Sequence, residues 1–327
     1  MVLLKYSIML QKESETQSVK VIIFSFDRAM QLSSLLESII KHDCRNVFNI
    51  SVIYAFSSEL YEKGYQKLQQ VYKQIDWINE RNFKKSRWNF SFDLKYWHNW
   101  YWWYKYRSLR KNKSGFKSIV IDTIERSTEN FLMFLTDDSL FMNEIIIPSN
   151  CMELITQNPQ DYSFSLRHGE NIKDGQYTKK ENFIHWNVYL NDIKTDWGYP
   201  FSVDGHIYFK QTLMKLLKKI IYNNPNTMEG NIASYIKGRR LFPHIIASFK
   251  SVLIGSELNR VQSIVDNNNL GISQEMLNKF FLQGYFLYID FEEKDKIDFR
   301  PLINTVYLSN GREKIVVYDL KENHGKA

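Results

Sequence analysis

Cysteine is nearly absent: the 327 residues carry two, Cys44 and Cys151. That excludes a disulfide scaffold and a four-cysteine zinc site. Thirteen glycines and six prolines are too few for a fibrous or low-complexity chain. No apolar run approaches the ~20 residues that span a bilayer. The opening stretch MVLLKYSIMLQ meets charge too soon to read as a signal peptide. These absences give the expectation of a cytoplasmic protein with reduced cysteines.

What is present is ordinary for a folded chain. Hydrophobic residues make up 44% and charged residues 24%, enough to bury a large core. A net charge of +7 suits nucleic acid, anionic lipid heads or phosphorylated small molecules, and does not choose among them. No internal repeat and no Pro-, Gly- or Ser-rich linker divides the chain. The expected organisation is an N-terminal segment, 1–19, one main domain, 20–255, and a C-terminal extension packed on it, 256–327.

Val21-Ile22-Ile23-Phe24 is an unbroken apolar run, the mark of a strand buried on both faces. From Met30, apolar residues at Leu32, Leu35, Leu36, Ile39 and Ile40 have helical spacing. Asn49 to Phe56 reads as a second buried strand and Glu59 to Gln74 as a second helix. Strand, helix, strand and helix with short links predict an α/β fold with a parallel sheet and right-handed crossovers. A helix over Phe116 to Glu125 and a strand over Asn130 to Leu135 continue the pattern, with a further strand over Asp161 to Leu166. Gly198 to Phe209 holds a strand, and Gln211 to Tyr222 is helical. After the turn Asn223-Asn224-Pro225-Asn226, Thr227 is placed to cap a helix over Met228 to Lys237. Ile245 to Ile254 reads as strands or a hairpin, Gln274 to Phe281 as a helix, and Lys314 to Tyr318 as a strand.

In an open parallel sheet, ligands bind beyond the carboxyl ends of the strands. Three polar clusters fall at such ends: Ser25, Phe26, Asp27 and Arg28; Ser57, Ser58 and Glu59; and Thr136 to Ser139. Adjacent carboxylates such as Asp137 and Asp138 repel unless a cation or a turn relieves them. Hard oxygen ligands suit Mg2+ or Mn2+ bound with substrate phosphates; the other reading is a solvated turn. His206 is a candidate third ligand or a hydrogen-bonded structural residue. Arg167 follows an apolar strand and can reach a substrate phosphate or an acceptor group, or lie at the surface. Asp204, in Ser202-Val203-Asp204-Gly205, is a candidate general base or a turn residue.

The stretches VIIFSFDRAMQLSSLLESI and FLMFLTDDSLF, in this order, resemble the GT-A, Rossmann-like glycosyltransferases of the family-2 type that build bacterial surface and capsular polysaccharides. That family carries an Asp-any-Asp metal motif; its first position falls on Thr136 and its last on Asp138, with Asp137 between. The resemblance covers about Lys20 to Lys237. It implies a Mn2+- or Mg2+-dependent transfer of sugar from a nucleotide-diphosphate sugar to a glycan or lipid-linked acceptor hydroxyl, with inversion. It implies a catalytic base at Glu229, in NNPNTMEGNI, against the reading of a solvated first-turn Glu. A first-turn position would keep this carboxylate ionised. The family's acidic base reader at the second strand end is replaced here by Ser57, Ser58 or Glu59. Its phosphate- or metal-binding segment falls near Arg260, a candidate for the diphosphate.

The aromatic residues concentrate between 88 and 106, where five Trp stand among Tyr, Lys and Arg. Core packing, stacking on acceptor sugars and peripheral contact with the inner face of a membrane all suit this mixture. It also suits single-stranded nucleic acid, which makes a basic nucleic-acid-binding protein the alternative class. A metal-dependent nucleotidyltransferase is the alternative enzyme. The acidic motif weighs against nucleic acid, and none is expected as a partner.

Overall fold

A computed structural model describes residues 18–82, 115–192, 194–259, 269–292 and 294–323. The aromatic segment 88–106 and Arg260 lie outside these residues.

The chain opens with β1 (Val19–Phe26), α1 (Ala29–His42), β2 (Phe48–Ala55), α2 (Glu59–Val71) and β3 (Asp76–Asn79). After α3 (Phe116–Glu125) comes β4 (Phe131–Thr136). β1 pairs in parallel with β2 and β4, and β2 with β3. The three apolar runs read from sequence as central strands are therefore adjacent and parallel.

The unbroken apolar character of β1 follows from its two covered faces. Val19, Val21 and Ile23 join one core with Leu32, Leu35, Leu36 and Ile39 of α1 and with Tyr65 and Leu68 of α2. Ile22 and Phe24 point the other way, onto Phe116, Ile119, Val120 and Ile124 of α3. Period-two alternation delivers successive side chains to opposite faces, so both sets must be apolar. Each fully buried aliphatic side chain contributes about 1.5–3 kcal/mol.

Among the described residues the second half extends the sheet to nine strands, ordered β3-β2-β1-β4-β9-β6-β10-β8-β7. The added strands are β6 (Tyr162–Ser165), β7 (Thr178–Lys179), β8 (Ile184–Asn187), β9 (His206–Phe209) and β10 (His244–Ala247). β9 runs antiparallel between β4 and β6, and β8 antiparallel to β10. Outside this sheet, β5 (Ser139–Phe141) pairs with β11 (Leu253–Gly255). Residues 245–254 are thus no hairpin: β10 and β11 belong to different sheets.

Two helices follow β9: α5 (Lys210–Lys219) and α6 (Pro225–Arg239). α6 starts two residues before the expected cap. Asn224, not Thr227, is its N-cap; its side chain accepts from Thr227 N at 2.8 Å, and Thr227 Oγ1 accepts from Asn224 N at 3.1 Å. Pro225 fits the first helical position because its missing N–H needs no partner there.

α4 (Ser149–Gln157) and α7 (Gln274–Leu282) complete the larger core, with Cys151, Ile155 and Phe281 buried in it. The chain ends in an antiparallel meander of β12 (Phe286–Phe291), β13 (Ile303–Ser309) and β14 (Lys314–Asp319), whose Leu287, Val306 and Leu308 join that same core. Among the described residues no helix is long and apolar enough to cross a membrane.

Candidate active site

A cleft of about 650 Å³ opens over the carboxyl ends of β1, β2 and β4. Its walls include Ser25, Phe26, Arg28, Asp137 and Asp138 on one side, and Arg167, Asp204 and Glu229 on the other. A smaller hollow of about 430 Å³ lies over α7, where Glu275 and Lys279 pair with each other.

Arg28 organises the first wall. Its Nη1 lies 3.0 Å from Asp137 Oδ1 and 2.8 Å from Asp138 Oδ2. Its Nε donates to Asn259 Oδ1 at 2.9 Å, and its Nη2 donates to the Asn259 carbonyl. The cation that relieves the two carboxylates is therefore a guanidinium of the chain itself. Asp137 also accepts from Ser25 Oγ at 2.8 Å and from Phe26 N at 3.3 Å. Burial raises Asp137 to about 6, with Arg28 opposing. Burial works against ionisation of Asp138 too, but Arg28 and Thr136 hold it below the usual carboxylate range.

The turn after β1 is built around Asp27, which is left-handed at φ 57° and buried. Its carboxylate accepts from Ser57 N at 2.7 Å, joining the ends of β1 and β2. Asp27, Ser57 and Ser58 shape this corner and do not line the cleft. Glu59, in the first turn of α2, is exposed.

The second wall carries both candidate bases. Asp204 is buried; Oδ1 accepts from Ser139 Oγ at 2.5 Å and Oδ2 is ion-paired with Arg167. Arg167 also donates to the Phe299 carbonyl at 3.3 Å. Glu229 Oε1 accepts from Val203 N at 3.0 Å. Desolvation raises Glu229 to about 7, against the hydrogen bond from Val203. The helix start was expected to keep Glu229 ionised. It lies beyond the first residues of α6, where the dipole has faded, and burial dominates.

His206 is buried on β9, does not line the cleft, and is lowered to about 3 by burial and by Arg167. Among the described residues, no group of three or more His, Cys, Asp or Glu side chains can hold a metal ion. The set Asp137, Asp138 and His206 is therefore not brought together. What remains is Asp138, 23% exposed, and Glu257, whose Oε2 is buried without a hydrogen-bond partner in the same cleft wall. A divalent ion held through one or two carboxylates, with substrate phosphate completing its shell, fits this donor set. A closed cage of protein ligands does not.

Sequence reasoning missed several lining residues: Glu80 after β3, Asp196, Glu257 and Arg300. None sits in a motif. Glu80 follows a strand with only two apolar residues, Trp77 and Ile78. Glu257 and Arg300 meet at 2.6 Å across 43 positions of sequence, a contact only the fold makes.

No family model matches the sequence. The bifunctional glycosyltransferase pgtA of Dictyostelium discoideum is 22% identical over 288 residues, covering 76% of this chain and 33% of that protein. The chain is similar to a glycosyltransferase. It spans about a third of the length of this curated relative. Among solved structures, S. aureus TarS matches at a TM-score of 0.43 and 12% identity, over 73% of this chain and 36% of that one. The mannosyltransferase PcManGT of Pyrobaculum calidifontis, in complex with GDP-Man and Mn2+, matches at 0.40 and 12%, over 79% and 65%. Neither structural likeness is strong enough to carry a residue role.

Proposed function

We propose that this chain transfers a sugar from a nucleotide-diphosphate sugar to an acceptor hydroxyl, with inversion at the anomeric carbon. One observation carries the reading: a carboxylate raised to about 7, Glu229, faces a large cleft at the strand ends. A base poised near neutral pH combines a useful ionised fraction with real proton affinity. The acceptor oxygen bonds to the anomeric carbon, the bond from that carbon to the diphosphate breaks, and the acceptor proton passes to Glu229. The nucleoside diphosphate leaves with the bonding electrons.

The charge balance supports a metal-assisted donor. Among the described residues, seven carboxylates, including Glu80, Asp196 and Glu257, line the cleft against three guanidiniums, Arg28, Arg167 and Arg300. Arg28 and Arg167 are already committed to aspartates. A diphosphate entering this cleft needs a further cation, and Asp138 with Glu257 would hold Mn2+ or Mg2+. When bound, the ion absorbs charge developing on the leaving diphosphate. Phe26, 42% exposed at the cleft, offers an aromatic surface toward the donor.

The wider reading places residues 20–255 as the catalytic domain and 256–327 as an extension packed on it. The acceptor is a glycan or lipid-linked sugar in surface polysaccharide synthesis, on the cytoplasmic side, with peripheral membrane contact. The test is isothermal titration of UDP, GDP, UDP-GlcNAc and GDP-mannose with Mn2+ or with EDTA. Metal-dependent binding of one nucleotide class supports the reading. Failure of all four to bind in Mn2+ refutes it for uridine and guanosine donors.

A further inference from the structure

The two candidate bases are not equivalent. Asp204 has no oxygen to spare: Ser139 occupies Oδ1 and Arg167 occupies Oδ2. It sits in a turn that the surrounding chain fixes closely. Asp204 N donates to Ser202 Oγ at 3.1 Å. Gly205, at φ +77°, donates its N–H to the Phe134 carbonyl at 2.9 Å and accepts from Leu166 N at 2.9 Å. Within that turn, the Val203 amide points at Glu229 Oε1.

We propose that Asp204 is the positioning residue for Glu229: clamped by Ser139 and Arg167, it holds the Ser202–Gly205 turn so that the Val203 amide and the Ser202 hydroxyl together orient the Glu229 carboxylate toward the acceptor proton. The proposal rests on the reading of Glu229 as the base. Asp204 itself takes no proton in the reaction. Its negative charge stands near Glu229 from the turn, with Arg167 behind it and Tyr199 and Tyr208 as the other titratable neighbours.

The arrangement makes a prediction with two opposite signs. Asp204 disfavours the charged form of Glu229, whereas Arg167 favours it. Removing each charge should therefore move the titration of Glu229 in opposite directions. The experiment follows the Glu229 side-chain carboxyl by 13C NMR on the full-length protein without donor, using Glu229→Gln to assign the signal. Asp204→Asn is expected to move the midpoint acidward by roughly 0.5–1 pH unit, and Arg167→Gln to move it upward by a similar amount. A purely structural role would lower the melting temperature and leave the midpoint in place.

Unchanged midpoints in both variants, or shifts of the same sign, overturn the proposal. If Asp204→Asn does not fold, Ser139→Ala, which releases Asp204 Oδ1, decides: a moved Glu229 midpoint supports the proposal and an unmoved one refutes it. Because no donor is present, this outcome is independent of whether nucleotide sugars bind. Once turnover is measured, Asp204→Asn should shift the acid limb of its pH profile in the same sense, with donor KM unchanged.

Discussion

Replacing Arg28 with leucine tests the clamp on which the first wall depends. In the folded protein this side chain is 7% exposed and Asp137 is 5% exposed. Burial would discharge the guanidinium, but Asp137 and Asp138 hold it above its usual range. Arg28→Leu leaves two acids facing each other, one deeply buried and without its partner. Breaking a buried ion pair from one side costs about 3–5 kcal/mol. In a chain of this size that lowers the melting temperature by on the order of 10 °C. The loss should depend on pH. Asp137 already holds its proton more tightly folded than unfolded, at about 6 against an ordinary value of 3.8. A carboxylate shifted upward contributes stability at low pH that is lost as pH rises through the folded value. Without Arg28 that value climbs further, so the deficit is largest near pH 7 and shrinks toward pH 5. Adding Asp137→Asn to the leucine variant should recover part of the loss at pH 7, since no unpaired charge then stays buried. Thermal melts of wild type, both single variants and the double variant, at the two pH values, measure all of this. A leucine variant melting within about 2 °C of wild type at pH 7 would refute the clamp, as would a deficit of equal size at both pH values.

Glu229→Gln should reduce turnover by about 10²–10⁴-fold and leave nucleotide binding by calorimetry unchanged. Wild-type turnover should rise as pH passes through about 7, where Glu229 loses its proton; an activity that falls across that range would exclude Glu229 as the base. Asp138→Asn should abolish the gain in nucleotide affinity that Mn2+ confers, read as the loss of a Mn2+-dependent melting shift, and a shift equal to wild type would move the ion elsewhere. Gly205→Ala should destabilise by about 1–3 kcal/mol in urea titration, because the site has φ +77° and the new Cβ would fall 2.3 Å from Leu253 Cδ2; a neutral result would show that the turn yields.

The parallel half of the fold was legible because each strand is buried on both faces. Val21–Phe24 and Phe131–Leu135 leave no polar alternation to confuse with an exposed sheet, and α1 shows its stripe plainly. Strands with one open face were harder. In β12, the exposed Phe286 and Tyr288 alternate with the inner Leu287, so hydrophobicity does not separate inside from outside. The acidic pair Asp137-Asp138 was visible as a cluster, but its neutralisation by Arg28 was not, because the partners stand 109 and 110 positions apart. The polar ends of β1 and β4 were found by searching after each strand. Ser57 and Ser58 failed that search because Asp27 takes the Ser57 amide, turning the end of β2 into scaffold.

Val203 and Asp204 of the second wall follow from β9, one of the two strands that reverse direction in this sheet. β9 lies antiparallel to β4, with Met133 opposite Ile207 and Phe131 opposite Phe209. The start of β9 therefore lies at the sheet edge where β4 ends, and the segment before the strand, not after it, reaches the cleft. Gly205 N bonds to the Phe134 carbonyl at that seam. This brings Asp204 and the Val203 amide level with Asp137 and Asp138, although they precede their strand in sequence. α5 and α6 then return the chain so that Glu229 meets Val203 from behind. Ser25 to Arg28 and Asp137-Asp138 thus come from loops leaving parallel strands, and Val203 and Asp204 from a loop entering an antiparallel one. A rule that looks only beyond carboxyl ends recovers the first set and passes over the second.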